Sequence, residues 1–285
     1  MIIIAASYNS KEKRSYLLIQ ARLAWGFSIK RPFISKGQPS YTTFPPTTLM
    51  GAISYPLAKI KGLGELIIKR GKIYSVAEEF KDIFKAASAI ITQEKRDTPS
   101  GIYWEDINRY QILQFQKDFR RRDPMFRFGT VPSGKVIGPG SIVRIIYLID
   151  EEKAKNVLGS SWDQILIEAG YSITRIGSKE SIVSVEKVDL EEPVMMVNEL
   201  CTRYPHPKDI IQTGFTPKEC PDKEYKGWYE EAFWDNTYEW REILTYRTFI
   251  VPGTRNPVFN GWIRIRLKDS VKGYLIEEDG IAEFL

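Results

Sequence analysis

Two short stretches carry side chains whose chemistry suits a phosphate. In FPPTTLMGAISYPLA, residues 44–58, Pro45 and Pro46 hold the chain extended ahead of an apolar run. Thr47 or Thr48 is then placed to cap the helix that follows, accepting an orphan backbone N–H, and Pro56 is expected to kink or stop it. A helix start with hydroxyls and a nearby Gly51 is an anion-binding arrangement as well as an ordinary capped core helix, and this stretch alone leaves both open. In RIGSKES, Gly177, Ser178 and Lys179 offer backbone amides, a hydroxyl and an ammonium to a phosphate, or form a plain turn.

Cations gather near these stretches. The loop SIKRPFISKGQPSY brings Lys30, Arg31 and Lys36 with no acid, and Arg22 lies just upstream. Between residues 109 and 127, Arg109, Lys117, Arg120, Arg121, Arg122 and Arg127 outnumber Asp118 and Asp123, a local balance of +4. Tyr103, Trp104, Tyr110, Phe115, Phe119, Phe126 and Phe128 are interleaved with them. Charge for phosphates and flat faces for splayed bases are what single-stranded nucleic acid requires. Three consecutive arginines cannot all face one partner element, which weakens the reading of this stretch as a solvated face.

Catalytic signals are sparse. There is no CxxC, no nucleophile elbow and no HExxH, and the one histidine, His206, sits between Pro205 and Pro207. A metal-free ribonuclease using Tyr and Lys in place of His stays open, because it needs only a base for the 2′-hydroxyl and an acid for the leaving oxygen. Cys201 and Cys220 lie too far apart for paired zinc ligands and read as free thiols rather than a disulfide. No metal and no cofactor are expected.

The elements that position these groups follow from patterning. A strand is expected over residues 15–27, a helix from 47, and a second helix over 76–86 capped by Ser75. AIIT at 89–92 reads as a short strand. IVRIIYLI, 142–149, is too continuously apolar to be half exposed and reads as a central strand. Asp150 is placed to cap a helix running to Ala169 and closing at Gly170, and a strand follows near 182–185. Residues 96–141, rich in Gly, Pro and aromatics, read as a functional insertion. The order is that of an α+β, ferredoxin-like (RRM-like) βαββαβ domain over residues 1–190. A soft boundary near 190 opens a smaller, irregular, β-rich C-terminal region, 191–285, with closing strands at 261–267 and 272–277. Within it, residues 218–242 carry eight acids against four cations, together with seven aromatics, which leaves open a scaffold that docks a large partner through this region and touches nucleic acid only incidentally.

The whole chain has 285 residues, 43 % hydrophobic and 27 % charged, with a net charge of +5, ordinary for a globular protein and short of a nucleic-acid-coating one. Its 35 isoleucines and abundant Lys and Glu suit a thermophile. The opening MIII is too short for a signal segment and no apolar run reaches membrane-spanning length, so a cytoplasmic location is expected.

Three pieces, WGFSIKRPFISKGQPSYTTFPPTTLMGAI at 25–53, the basic insertion, and RIGSKESIVSVEKV at 175–188, resemble the Cas-five family of CRISPR-associated proteins. That family is a branch of the repeat-associated mysterious protein superfamily, and the likeness is to its archaeal type I-A form. The resemblance implies a non-catalytic, crRNA-binding Cascade subunit in antiviral defence that grips the five-prime repeat handle of the guide. It further implies contacts with the backbone and large subunits and, through the ribonucleoprotein complex, with target DNA. By region, Thr47, Thr48 and Gly51 would mark the helix start near the handle, Lys30, Arg31 and Lys36 its cationic loop, and Gly177, Ser178 and Lys179 the glycine-bearing loop. Residues 103–128 would form a thumb. The type I-C branch, which cuts precursor RNA itself, uses a triad that has no match here.

Overall fold

The structure, a computed structural model, describes residues 13–31, 39–92, 100–112, 128–193, 195–234 and 245–285. Four strands form its principal sheet: β1 (Arg14–Leu23), β2 (Phe84–Thr92), β3 (Ile142–Asp150) and β4 (Val183–Glu191), in the order β2-β3-β1-β4 with every pairing antiparallel. As its unbroken apolar run predicts, β3 lies inside the sheet. Helix α1 (Pro46–Ile60) connects β1 towards β2, while α2 (Glu151–Leu158) and α3 (Trp162–Tyr171) connect β3 to β4.

The helices cover one face of this sheet. The Tyr147 hydroxyl donates to the Leu49 carbonyl of α1 at 2.8 Å, and Gly170 of α3 sits where a Cβ would lie 2.9 Å from Val188 and 3.3 Å from Ile19. Asp150 caps α2 as expected, its carboxylate accepting from the Lys153 amide at 3.1 Å. The expected single helix to Ala169 is instead two, because Gly159 takes φ +96 and ends α2 before Trp162 restarts the next; Gly170 is helical, and the cap falls at Ser172. The expected helix over 76–86 shrinks to a turn at Ala77–Phe80 and a 3-10 turn at Lys81–Ile83. Residues from Phe84 onward are drawn into β2, where Ala86, Ala87 and Ala89 are buried against β3. Pro56 lies inside α1, which runs on to Ile60.

Much of the opposite face of the sheet is also buried, while Gln20 and Arg22 at its end stay partly open. Leu18, Ile146 and Leu148 are covered, the Ser88 hydroxyl donates to the Pro205 carbonyl at 3.0 Å, and the Phe284 amide donates to the Lys85 carbonyl at 2.8 Å. One hydrophobic cluster therefore runs from Leu17 through Tyr147 to Leu200, Tyr204, Phe249 and Ile281, on both sides of residue 190. The closing strands appear at Ile263–Arg266 and Gly273–Ile276.

Contrary to the free thiols expected, Cys201 and Cys220 are joined in a disulfide with Cα atoms 5.8 Å apart. Pairing brings them together: Cys201 lies opposite Arg264, and Lys218 exchanges two backbone hydrogen bonds with the same Arg264. Closing a loop of this length restricts the unfolded chain, so replacing both cysteines by serine is expected to cost about 2–3 kcal/mol. Urea unfolding of the oxidised, reduced and substituted proteins measures it.

Candidate nucleic-acid interface

The first turn of α1 starts at the prolines rather than after them. Pro45 takes the N-cap position with no side-chain cap, Pro46 is the first helical residue, and the Thr48 and Leu49 amides donate to the Pro45 carbonyl. Neither Thr47 nor Thr48 is the cap that its position predicts; both lie within the first turn, half-buried, and Thr47 Oγ1 accepts from the indole N–H of Trp234. The first turn of the helix itself holds no acid.

From here a groove of about 450 Å³ opens, lined by Thr47, Thr48, Gly51 and Tyr55 of α1, by Thr174, Arg175 and Gly177, and by Glu65, Leu66 and Ser75. It joins the two stretches picked out by their chemistry. Gly51 is exposed, with open space where a Cβ would project. On the groove wall, Ser54 Oγ is buried without a hydrogen-bond partner.

The RIGSKES loop is fixed to the strand end at Ser28 and Ile29. Gly177 has φ +97, and a Cβ there would lie 2.8 Å from Ile29 Cγ1 and 3.1 Å from the Ser28 carbonyl, so only glycine fits. The Ser178 amide donates to that carbonyl at 3.0 Å, and the Ser178 and Ser181 hydroxyls share a hydrogen bond of 2.9 Å. Ser178 is thus spent on the loop itself, and of the three residues only Gly177 lines the groove; Lys179 is exposed.

The cations separate into two groups. Lys30 is exposed, on a backbone bridge to Ser40. Arg31 is committed to the fold: it pairs with the buried Glu231 carboxylate at 3.0 Å and lies 5.1 Å from the Tyr41 ring centroid. Arg255 reaches the same carboxylate at 3.4 Å, and burial still raises the Glu231 pKa. No short-range signal links residues 31, 231 and 255, so this cluster was invisible in the sequence. Arg175 and Tyr55 of the groove were missed likewise; their segment chemistry is ordinary.

The aromatic and basic insertion contains an antiparallel hairpin, Ile102–Ile112 with Phe128–Ile137, extended by Gly26–Phe27. At its base Ile102, Trp104 and Ile137 are exposed, with Ile102 opposite Ile137. Arg109 is in register with Val131, its side chain outside the described residues. Lys36, Lys117, Arg120, Arg121, Arg122 and Arg127 also lie outside the described residues.

His206 is 1 % exposed and occupied at both nitrogens. The Ala282 amide donates to Nε2 at 3.1 Å, which leaves the proton on Nδ1, 2.8 Å from the Tyr204 carbonyl. Burial lowers its pKa to about 4. Among the described residues no group of His, Cys, Asp and Glu is arranged to hold a metal ion, and no helix is long and apolar enough to cross a membrane.

No family model matches the chain. It is 32 % identical over 257 residues to the "CRISPR system aCascade subunit Cas5 1" of Saccharolobus solfataricus, covering 90 % of this chain and 95 % of that protein. A second protein of that organism, "CRISPR-associated protein Cas5 2", is 25 % identical over 256 residues, 87 % of this chain and 86 % of that one. Among solved structures, a CRISPR protein from Archaeoglobus fulgidus superposes with a TM-score of 0.55 at 19 % identity, over 95 % of this chain and 99 % of that one, a likeness of fold.

Proposed function

The chain belongs to the Cas5 family, and from that premise we propose that it is a non-catalytic subunit of a type I CRISPR Cascade complex that holds the five-prime repeat handle of the crRNA. The observation that carries this reading is the groove, where the acid-free N-terminal turn of α1 faces Arg175 and Gly177. A phosphate there meets a helix dipole, threonine hydroxyls and a cation together. We read the principal sheet as ferredoxin-like, its two helical connections following the first and third strands. The middle of its second face is covered, and the described side chains open to solvent towards its end, Gln20, Arg22, Ser184 and Glu186, carry no ring on which a base could stack. The guide is therefore assigned to the groove and the paired strands Ile102–Ile112 and Phe128–Ile137, with the exposed Trp104 offering a ring to a base. The backbone and large subunits, and target DNA through the complex, are the partners of this reading, in the cytoplasm of an archaeal cell.

Of the two alternatives, a scaffold subunit with incidental RNA contacts and a metal-independent endoribonuclease, the second finds little support in His206, whose two nitrogens are already used inside the core. Purifying the protein from its native host and sequencing the RNA it carries tests the proposal. Short RNAs sharing one repeat-derived five-prime end are expected, and no RNA or random RNA overturns the reading. Incubation with repeat RNA in EDTA is expected to give binding without cleavage; cleavage overturns the non-catalytic role.

A further inference from the structure

We propose that the hairpin Leu66–Lys69 with Lys72–Ser75 is a protein-docking element whose occupant is an acidic, apolar segment of another subunit of the same RNA-guided assembly. The inference rests on the reading of this chain as a subunit.

Among the described residues the two strands pair only with each other. Their turn, Arg70 at φ 52 and Gly71 at φ 76, has both central residues left-handed, the tight form that matches the twist of a hairpin. Ile67 leans on the core from one face. The other face is turned outward: Ile68 is 77 % exposed and lies opposite Ile73, Leu66 is 62 % exposed two residues along, and Leu63 adjoins them in sequence. A two-stranded hairpin is marginal by itself, and adjoining exposed aliphatic side chains of this size mark a surface that another molecule covers.

Chemistry selects the occupant. Leu, Ile and Ile offer no flat face to a base, in contrast to Trp104, so RNA is a poor fit. Residues 61–73 carry Lys61, Lys69, Arg70 and Lys72 against Glu65, and Lys69 pairs with Glu79 at 2.9 Å, which leaves a balance of +2. A second copy would set like charges against each other, whereas an acidic segment with apolar side chains matches both features. The location adds a reason: Glu65, Leu66 and Ser75 also wall the groove, so a subunit seated on the hairpin closes the groove's side.

The test co-expresses the full chain, or its Ile68→Ser/Ile73→Ser variant, which leaves the groove lining untouched, with the other subunits of its own Cascade and a repeat–spacer RNA. Both positions are exposed, so the thermal midpoint is expected to hold. The variant is expected to retain a protein subunit at least ten-fold more weakly while its RNA affinity stays within two-fold. A photo-crosslinker at Ile68 is expected to join an acidic, apolar segment of that subunit. Unchanged retention overturns the proposal, as does a parallel loss of RNA affinity, which gives the face to RNA. A dimer of the isolated chain that the substitutions convert to monomer overturns it too, assigning the face to self-association. A wild-type chain that joins no assembly overturns the subunit reading itself, which separates that failure from this one.

Discussion

Replacing His206 by alanine is expected to lower folding stability by about 4 kcal/mol, through a core cavity and the loss of two buried hydrogen bonds. The imidazole ties the turn at Tyr204 to the last strand at Ala282, and its ring lies edge-on to Phe284 at 6.0 Å. The same burial gives a pH signature. In the fold the imidazole is held neutral to about pH 4, whereas in the unfolded chain it takes its proton near the ordinary 6.5. Between these values the unfolded state binds more protons, so this contribution is complete above pH 6.5 and is lost as pH falls towards 4. The difference amounts to roughly 3 kcal/mol. Urea midpoints measured across that window are expected to fall with pH, and His206→Gln, which can donate and accept without titrating there, is expected to flatten this part of the curve. A wild-type curve already flat between pH 6.5 and 4 would contradict the buried neutral ring.

His206 also shows where sequence reasoning stops. Its flanking prolines announced a rigid context, but its two hydrogen-bond partners lie 2 and 76 residues away, and only the nearer was within reach of local pattern. Signals whose cause is local were legible. The apolar run of β3 and the Asp150 cap lie where patterning put them, and the insertion holds the paired strands Ile102–Ile112 and Phe128–Ile137. Errors arose where tertiary pairing overrode local preference. Ser75 looks like a cap, and its hydroxyl does accept from the Ala77 amide at 3.3 Å. Yet Phe84–Thr92 gains more as a strand buried on β3 than as a helical continuation. The disulfide needed the register around Arg264. Glu231 was read as one acid in an acidic stretch, yet burial and two arginines make it a core element. At the candidate site, Thr47, Thr48, Gly51 and Gly177 were named from two sequence segments far apart and line one groove. Arg175 and Tyr55 lacked any distinguishing local chemistry.

That separation of cations frames the second large effect. Substituting Arg120, Arg121 and Arg122 together by alanine is expected to weaken RNA binding about 100-fold near 0.1 M salt, because each phosphate contact on a single strand releases about 0.7 counterion. Three lost contacts lower the slope of log affinity against log salt by about 2. Filter binding of a repeat-derived RNA over a salt series reads both quantities. The slope carries the argument, since a variant that merely loses folded protein changes the active fraction and leaves the slope alone. Arg31→Ala supplies the contrast. Its guanidinium is spent on Glu231, so its removal leaves a buried carboxylate with Arg255 as its remaining cation. It is expected to reduce stability while the salt slope stays near the wild-type value. A triple variant with an unchanged slope removes the thumb from the RNA interface and leaves the groove to carry the guide alone. A slope that falls for Arg31→Ala instead would mean that the ion pair opens to admit a phosphate.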